Sequence, residues 1–476
     1  MNLKVTVGLE IHLELATKSK MFCSCPNIAD DSKPNSNICE ICTGQPGVLP
    51  TVNKQAVVFA IKLAKALNCK INKISYFARK NYFYPDLPKN YQISQYELPL
   101  AIDGNLIFFH NNESKKVRIR RIHLEEDTGK LIHLSNYSLI DFNRAGVPLL
   151  ELVTEPDIHS ADEAKVFVEE LITLIRYLKI SEANPEKGQI RFEANISVSP
   201  DDNLGTKVEI KNLSSLKSLR DAIKYETERQ KKLILEGQKI IQETRGFNEK
   251  KRITFSQRYK ETSEDYRYFP EPDLPLLELD DNFINLIHIP ELPSQKRERL
   301  IREYNLTFKE VNILIKNETI SNFYEETLSE LKEEISNFDP KFIYNLLIND
   351  IFGFLDKYNK KLTDLNITPH HFAHLISEFY KGNLNIKLVK KILAETIEHN
   401  HNIEDLLTKL RKIDDPQILL KFVRESLENN YQAVQDYKKG KENALQFLIG
   451  YIMKRTKGQV DINLVRDLLI KELKND

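Results

Sequence analysis

No apolar run in the chain approaches the ~20 residues needed to cross a bilayer, so no membrane-spanning helix is expected. Net charge is missing as well: 69 Lys and Arg stand against 69 Asp and Glu over 476 residues. Such a balance exerts no global pull on nucleic acid, and any RNA contact must come from local patches. The sequence has no GxxxxGK[ST] phosphate loop, no GxGxxG dinucleotide fingerprint and no GxSxG nucleophile elbow. These absences remove the Gly-rich nucleotide sites and the hydrolase elbow, so a nucleotide site must rest on carboxylate-held Mg²⁺ with Lys and Arg. No glutaminase nucleophile pattern, internal repeat, low-complexity linker or basic-then-apolar leader is found. The expectation is a soluble, cytoplasmic protein of two to four domains.

What is present begins at Leu3. Odd positions to Leu15 are Leu3, Val5, Val7, Leu9, Ile11, Leu13 and Leu15, and even positions include Glu10, His12 and Glu14. This period of two predicts a half-buried strand, with Glu10 and His12 projecting from one face roughly 6–7 Å apart. One such strand is an ordinary solvated face, but the pattern recurs. Val117 to Glu125 reads as a strand with Val117, Ile119, Arg121, His123 and Glu125 on one side. Leu139 to Asn143 pairs Asp141 with Asn143, and Leu149 to Val153 presents Glu151. Gln189 to Val198 sets Arg191, Glu193, Asn195 and Ser197 opposite an apolar face, and Lys207 to Lys211 sets Lys207, Glu209 and Lys211 opposite Val208 and Ile210. Several polar strand faces in one sheet are costly unless solvated or bound to something. The expected fold is therefore α+β: an antiparallel-sheet cradle over residues 1–292, its apolar side covered by helices and its acidic side facing a cleft. Glu10, His12, Glu125 and Glu151 are the candidate catalytic and Mg²⁺-holding residues, hard oxygen donors favouring that ion. Arg144, Glu193, Asn195, Glu209 and Lys211 are candidates for the nucleotide and its metal.

Four of five cysteines cluster as Cys23-x-Cys25, thirteen residues, then Cys39-x-x-Cys42. Four soft ligands in two tight pairs suit a closed, structural Zn²⁺ site, with disulfides the competing arrangement. Cys69 reads as a core or boundary residue on a helix from Gln55 to Asn68. Between Phe77 and Gln92 two prolines forbid regular helix. Tyr82, Phe83, Tyr84 and Tyr91, interleaved with Arg79, Lys80 and Lys89, either stack and neutralise an RNA 3′ end or pack beneath a long loop, and Arg79, Tyr82, Lys89 and Tyr91 are the candidate lining of a substrate pocket.

Beyond Ile287 the text is helical. Residues 293–402 read as an all-α domain without a catalytic cluster, its His370, His371, His399 and His401 falling on surface loops or helix ends. Residues 403–476 form a small helical tail. Within it Asp436 to Asp461 holds Lys438, Lys439, Lys441, Lys454, Arg455 and Lys457 against Glu442 and two aspartates. This basic edge fits RNA-phosphate contact or a solvated face.

Ordered motifs along the whole chain then carry a likeness. Val7-Gly-Leu-Glu-Ile-His12, Arg79-Lys-Asn-Tyr-Phe-Tyr-Pro-Asp86, Tyr91-Gln-Ile-Ser-Gln95, His123-Leu-Glu-Glu-Asp-Thr-Gly-Lys130, Asn143-Arg-Ala-Gly146 with Glu155-Pro-Asp157, Glu209-Ile-Lys-Asn-Leu213 and Asp265-Tyr-Arg-Tyr-Phe-Pro-Glu-Pro-Asp273 resemble the B subunits of aspartyl/glutamyl-tRNA amidotransferases. The resemblance implies a kinase-like cradle, a helical domain and a tRNA-gripping tail. It implies ATP- and Mg²⁺-dependent phosphorylation of the side-chain carboxylate of Glu-tRNA(Gln) or Asp-tRNA(Asn), then displacement of phosphate by ammonia from an amidase A subunit. A small C subunit would complete the heterotrimer. Glu193 stands where many members of that family have Asp. From the residues alone, a zinc-containing RNA-binding adaptor without catalysis and a metal-dependent hydrolase remain as alternatives.

Overall fold

A computed structural model of the chain describes residues 3–28, 32–111, 113–259, 265–410, 413, 415–441, 443–456 and 459–475. It divides into two compact units, Met1–Gln295 and Lys296–Asp476.

The first unit is built on a nine-stranded sheet that starts with β1 (Lys4–Glu14) at its centre. Between it and the second half of the sheet come β2 (Lys70–Ile71), β3 (Ile74–Ser75), β4 (Ala78–Asn81), β5 (Tyr91–Ser94) and β6 (Ala101–His110). Then follow β7 (Glu113–Glu126), β8 (Lys130–His133), β9 (Ser138–Asp141) and β10 (Pro148–Thr154). The remaining sheet strands are β11 (Ile190–Ser199), β12 (Val208–Leu213), β13 (Glu243–Asn248) and β14 (Ile253–Tyr259). The order is β14-β13-β12-β11-β1-β10-β7-β6-β2, antiparallel as expected except that β12 and β13 run parallel.

Alternation in β1 does what its pattern predicts. Val7, Leu9, Ile11, Leu13 and Leu15 are all buried, in a core shared with the helices α1 (Lys54–Ala66), α2 (Ala161–Tyr177) and α3 (Leu216–Leu235). Asn53 caps α1 by accepting from the N–H groups of Gln55 and Ala56 at 2.9 and 3.3 Å. Asn68 turns left-handed (φ 54°) just past the helix, so Cys69 lies beyond it rather than on it.

Two other expectations need correction. Val117 and Ile119 do not share a face with His123 and Glu125. Val153 pairs with Arg121 and the next residue, Thr154, with Ile119, so Arg120 is an extra residue on β7. A bulge of this kind exchanges the faces of everything beyond it. Val117, Ile119, Ile122 and Leu124 therefore all reach the core. Likewise β9 stops at Asp141, whose carboxylate accepts from the Asn143 N–H and starts a 3-10 turn, Phe142–Arg144. Asn143 is consequently buried away from Asp141, and its Oδ1 accepts the Asn37 N–H at 2.8 Å, pinning the cysteine loop.

The second unit is helical from Lys296 onward among the described residues, with ends set by local caps such as the Thr307/Glu310 capping box. Helix Ile403–Leu410 packs against helices Pro369–Tyr380 and Ile386–His399. Leu419, Val423, Leu448, Val465 and Leu469 centre a further hydrophobic cluster. No helix in the described residues is long and apolar enough to cross a membrane.

Candidate functional site: an acidic sheet face with two metal-sized clusters

The polar face of the central strands is one cleft because their registers align. His12 stands opposite Glu151 on β10 and Arg191 on β11, Glu10 opposite Glu193, and Asn195 opposite Glu209. Glu151 in turn faces His123 across β7. Residues more than a hundred positions apart thus line a cavity of about 420 Å³, with Lys80, Arg121, Lys211 and Tyr268 among its walls.

Two ligand sets sit on this face. In one, atoms of His12, Glu125 and Glu151 lie within 4.8 Å of one another, and in the other those of Glu10, Glu193 and Glu209 do. The expected quartet of Glu10, His12, Glu125 and Glu151 therefore falls into two groups, with Glu10 beside the residues foreseen for the nucleotide. His12 Nε2 is 3.4 Å from Glu151 and 3.8 Å from Glu125. His123, not singled out from the sequence, is buried at the same distances from the same two carboxylates. Burial works against charge on His12, but the hydrogen bond and charge of Glu151, with Glu193 and Glu125 behind, raise it to about 9. Burial also opposes the Glu151 charge, yet His123 and His12 hold its pKa well below the ordinary value.

At Glu10 the balance reverses. Burial and the like charges of Glu151, Glu193 and Glu209 push its carboxyl upward, against one hydrogen bond from Asn195 Nδ2 at 2.8 Å. Lys211 relieves part of this, 3.0 Å from Glu193 and 3.9 Å from Glu209. Asn195 Oδ1 is buried with no hydrogen-bond partner among the described residues. Crowded carboxylates beside an orphaned carbonyl oxygen form an oxygen-rich donor set of the kind a hard divalent cation takes.

Arg144 does not line this cavity. Its guanidinium donates to the carbonyls of Thr128 and Gly129 and stands 3.5 Å from Asp127. The Phe77–Gln92 stretch is also divided, by strand alternation. Arg79, Ile93 and Glu126 line a second cavity of about 240 Å³, together with Lys89, Tyr91, Cys23 and Cys42. Their neighbours Lys80 and Ser94 line the acidic one. Ser94 Oγ reaches Glu125 at 3.2 Å, so Glu125 and Glu126 also face opposite ways. In the second cavity Lys89 and Glu126 pair at 2.7 Å, and Arg79 clasps Glu271 through two 2.8 Å bonds while lying over the Tyr91 ring. Tyr82 instead flanks Lys80. Lys80, expected beside Arg79 and Lys89, is set on the opposite side by the four-residue strand β4. Its neighbours Tyr268, Glu125 and Glu151 hold its ammonium above the ordinary lysine range despite burial.

The cysteines converge. Sγ atoms of Cys23, Cys25, Cys39 and Cys42 lie within 4.8 Å of one another, and Cys39 and Cys42 are 3.8 Å apart. Four sulfurs around Zn²⁺ at about 2.3 Å stand about 3.8 Å apart, far beyond a disulfide bond of about 2.05 Å.

Comparison with known proteins matches residues 5–285 to the GatB/GatE catalytic domain and residues 308–473 to the GatB domain. The aspartyl/glutamyl-tRNA(Asn/Gln) amidotransferase B subunit of Thermotoga maritima is 43% identical, with all of both chains covered. The proteins of the same name from Geobacillus thermodenitrificans and Persephonella marina are 45% and 41% identical, over 99% and 100% of each chain. With both domains matched and identity sustained along the full length, the chain belongs to the GatB family.

Proposed function

We propose that the chain is the B subunit of a cytoplasmic, heterotrimeric tRNA amidotransferase, a carbon–nitrogen ligase acting on Glu-tRNA(Gln), Asp-tRNA(Asn) or both. The observation that carries this reading is the pair of carboxylate clusters sharing one cavity with Lys80 and Lys211. His12, Glu125 and Glu151 would hold one Mg²⁺, and Glu10, Glu193 and Glu209 a second. Bound there, the ions supply neutralising charge for phosphate oxygens.

The chemistry needs little else from the protein. A carboxylate oxygen of the aminoacyl side chain attacks the γ-phosphorus of ATP, ADP leaves, and an acyl phosphate forms. Lys80 and Lys211 steady the negative charge that spreads over the transferred group. Ammonia then attacks the acyl carbon, phosphate departs with the bonding pair and takes up the proton that nitrogen sheds, and an amide remains. The acyl phosphate must be kept from water. The second cavity, lined by the Lys89–Glu126 pair, suits arrival of ammonia from an amidase partner rather than from solvent. The small third subunit and the tRNA-gripping tail follow from the family likeness, and the four cysteines serve as a structural zinc site.

The test is ADP release by the reconstituted complex with each mischarged tRNA. Release that requires mischarged tRNA, and falls at least a hundredfold in Glu10→Ala and His12→Ala, is the expected result. Tight tRNA binding without turnover would favour the adaptor reading, and turnover without ATP a metal-dependent hydrolase.

A further inference from the structure

Lys20 is the one lysine in the described residues with no exposure at all. A buried ammonium is costly unless an anion answers it. The obvious answer, a carboxylate, is missing: no ion pair to Lys20 forms among the described residues. Glu126, whose carboxylate lies with the Lys20 side chain beside Gly146, is already taken by Lys89 and by the Ile93 N–H. Lys20 Nζ instead donates to the Asn37 carbonyl at 2.9 Å and lies 3.7 Å from Cys42 Sγ.

The backbone of Lys20 is fixed with equal care. Its N–H donates to the Cys25 carbonyl at 2.9 Å, and its own carbonyl accepts from Asn53 Nδ2 at 3.1 Å, the cap of α1. Asn37, which receives the ammonium, donates its side-chain amide to the Pro26 carbonyl at 2.8 Å. Lys20 therefore touches both cysteine pairs, the first through its main chain and the second through its charge.

Four thiolates around Zn²⁺ leave the centre with two net negative charges, in a part of the protein where Cys23 and Cys42 are buried. We propose that Lys20 is the interior counter-cation of a metal–tetrathiolate centre and sets how firmly the metal is held. The inference rests on reading the four-cysteine loop as a zinc site. It assigns Lys20 a positioning and charge-balancing role, with no part in transfer chemistry. Deleting the charge leaves the anionic centre under-compensated and removes a support of its ligand loop, so the metal is held less firmly.

The experiment uses the full chain as wild type, Lys20→Gln and Lys20→Arg, with zinc content by atomic absorption and release to a chromogenic chelator at fixed pH. One zinc per chain is expected in wild type, at least tenfold faster release in Lys20→Gln, and near-wild-type release in Lys20→Arg. Unchanged release from Lys20→Gln overturns the role of Lys20 alone, whereas wild type devoid of zinc overturns the zinc reading beneath it. Should Lys20→Gln not fold, amine acetylation of wild type decides. Lys20 should be shielded with metal bound and modified after chelation, while the buried Lys296 is unchanged in both states. Equal labelling of Lys20 in the two states overturns the proposal.

Discussion

The Leu9 N–H shows how single atoms are accommodated where the sheet loses regularity. Pairing of β1 with β10 begins at Glu10–Val153, beside the Val153/Thr154 register shift. The buried Leu9 N–H donates to Thr154 Oγ1 at 2.9 Å. Thr154→Val keeps the shape and removes the acceptor, so a buried donor is left unmet at a cost of about 1–3 kcal/mol. Urea denaturation should show that loss in midpoint, with Thr154→Ser recovering most of it; equal stability of Val and Thr forms would refute the argument. At this scale the sequence was informative where a residue sat in clean alternation. Glu10, His12, Glu193 and Glu209 announced themselves by period, and the cysteines by spacing. Lys80 was legible only as a cation beside Arg79 and Lys89, and its place on the acidic side was not, because two prolines a few residues downstream masked a four-residue strand. Arg144 lies outside the acidic cavity, a placement the sequence did not carry because a lone arginine beside a turn signals nothing about which carbonyls it will meet.

Among elements, β7 decides whether the acidic face exists. Its bulge at Arg120 lets Val117 and Ile119 join Ile122 and Leu124 in the core while Arg121, His123 and Glu125 reach the cleft side. The signal was present: apolar positions move from odd to even between 119 and 122, which marks one extra residue. Strict alternation overlooks it because a bulge is a break in the period being counted. Arg120→Ala removes a partly exposed pair with Glu155 and one cation from the wall of the acidic cavity, and should cost under about 1 kcal/mol of stability. Deleting Arg120 should be far worse. The register then forces either Val117 and Ile119 into the cleft or His123 and Glu125 into the core. The deletion protein should lose its cooperative thermal transition, or keep it without tRNA-dependent ADP release. Retention of both would show that the bulge is dispensable. The breadth of the sheet and its helical cover were legible from alternation and stripe, but the parallel β12–β13 pair was not, since strand order over long connections leaves no local trace.

For the molecule as a whole, zero net charge means that any hold on tRNA is set by where charge is left unpaired. The expected basic edge of the tail is smaller than its composition implies. Lys441 is engaged by Asp436 at 3.1 Å and Arg455 by Glu425 at 2.6 Å. Lys457 and Glu442 lie outside the described residues. Lys438, Lys439 and Lys454 are exposed and form no ion pair among the described residues, so they are the cations free to meet phosphate. Each phosphate neutralised steepens the dependence of log K on log salt by about 0.7–0.9. If the tail grips tRNA as proposed, replacing these three lysines by Gln should flatten the slope by about 2 to 3 units and weaken binding. Replacing Lys441 alone should do much less, because its charge is already met. Fluorescence anisotropy with labelled tRNA between 50 and 200 mM KCl reads the slope directly, on a range set by the screening it probes (roughly 14 to 7 Å). At saturating tRNA the turnover of the triple variant should match wild type, since none of the three lysines lines the acidic cavity. A slope unmoved by all three replacements would place the RNA contact elsewhere and leave the tail an ordinary solvated surface.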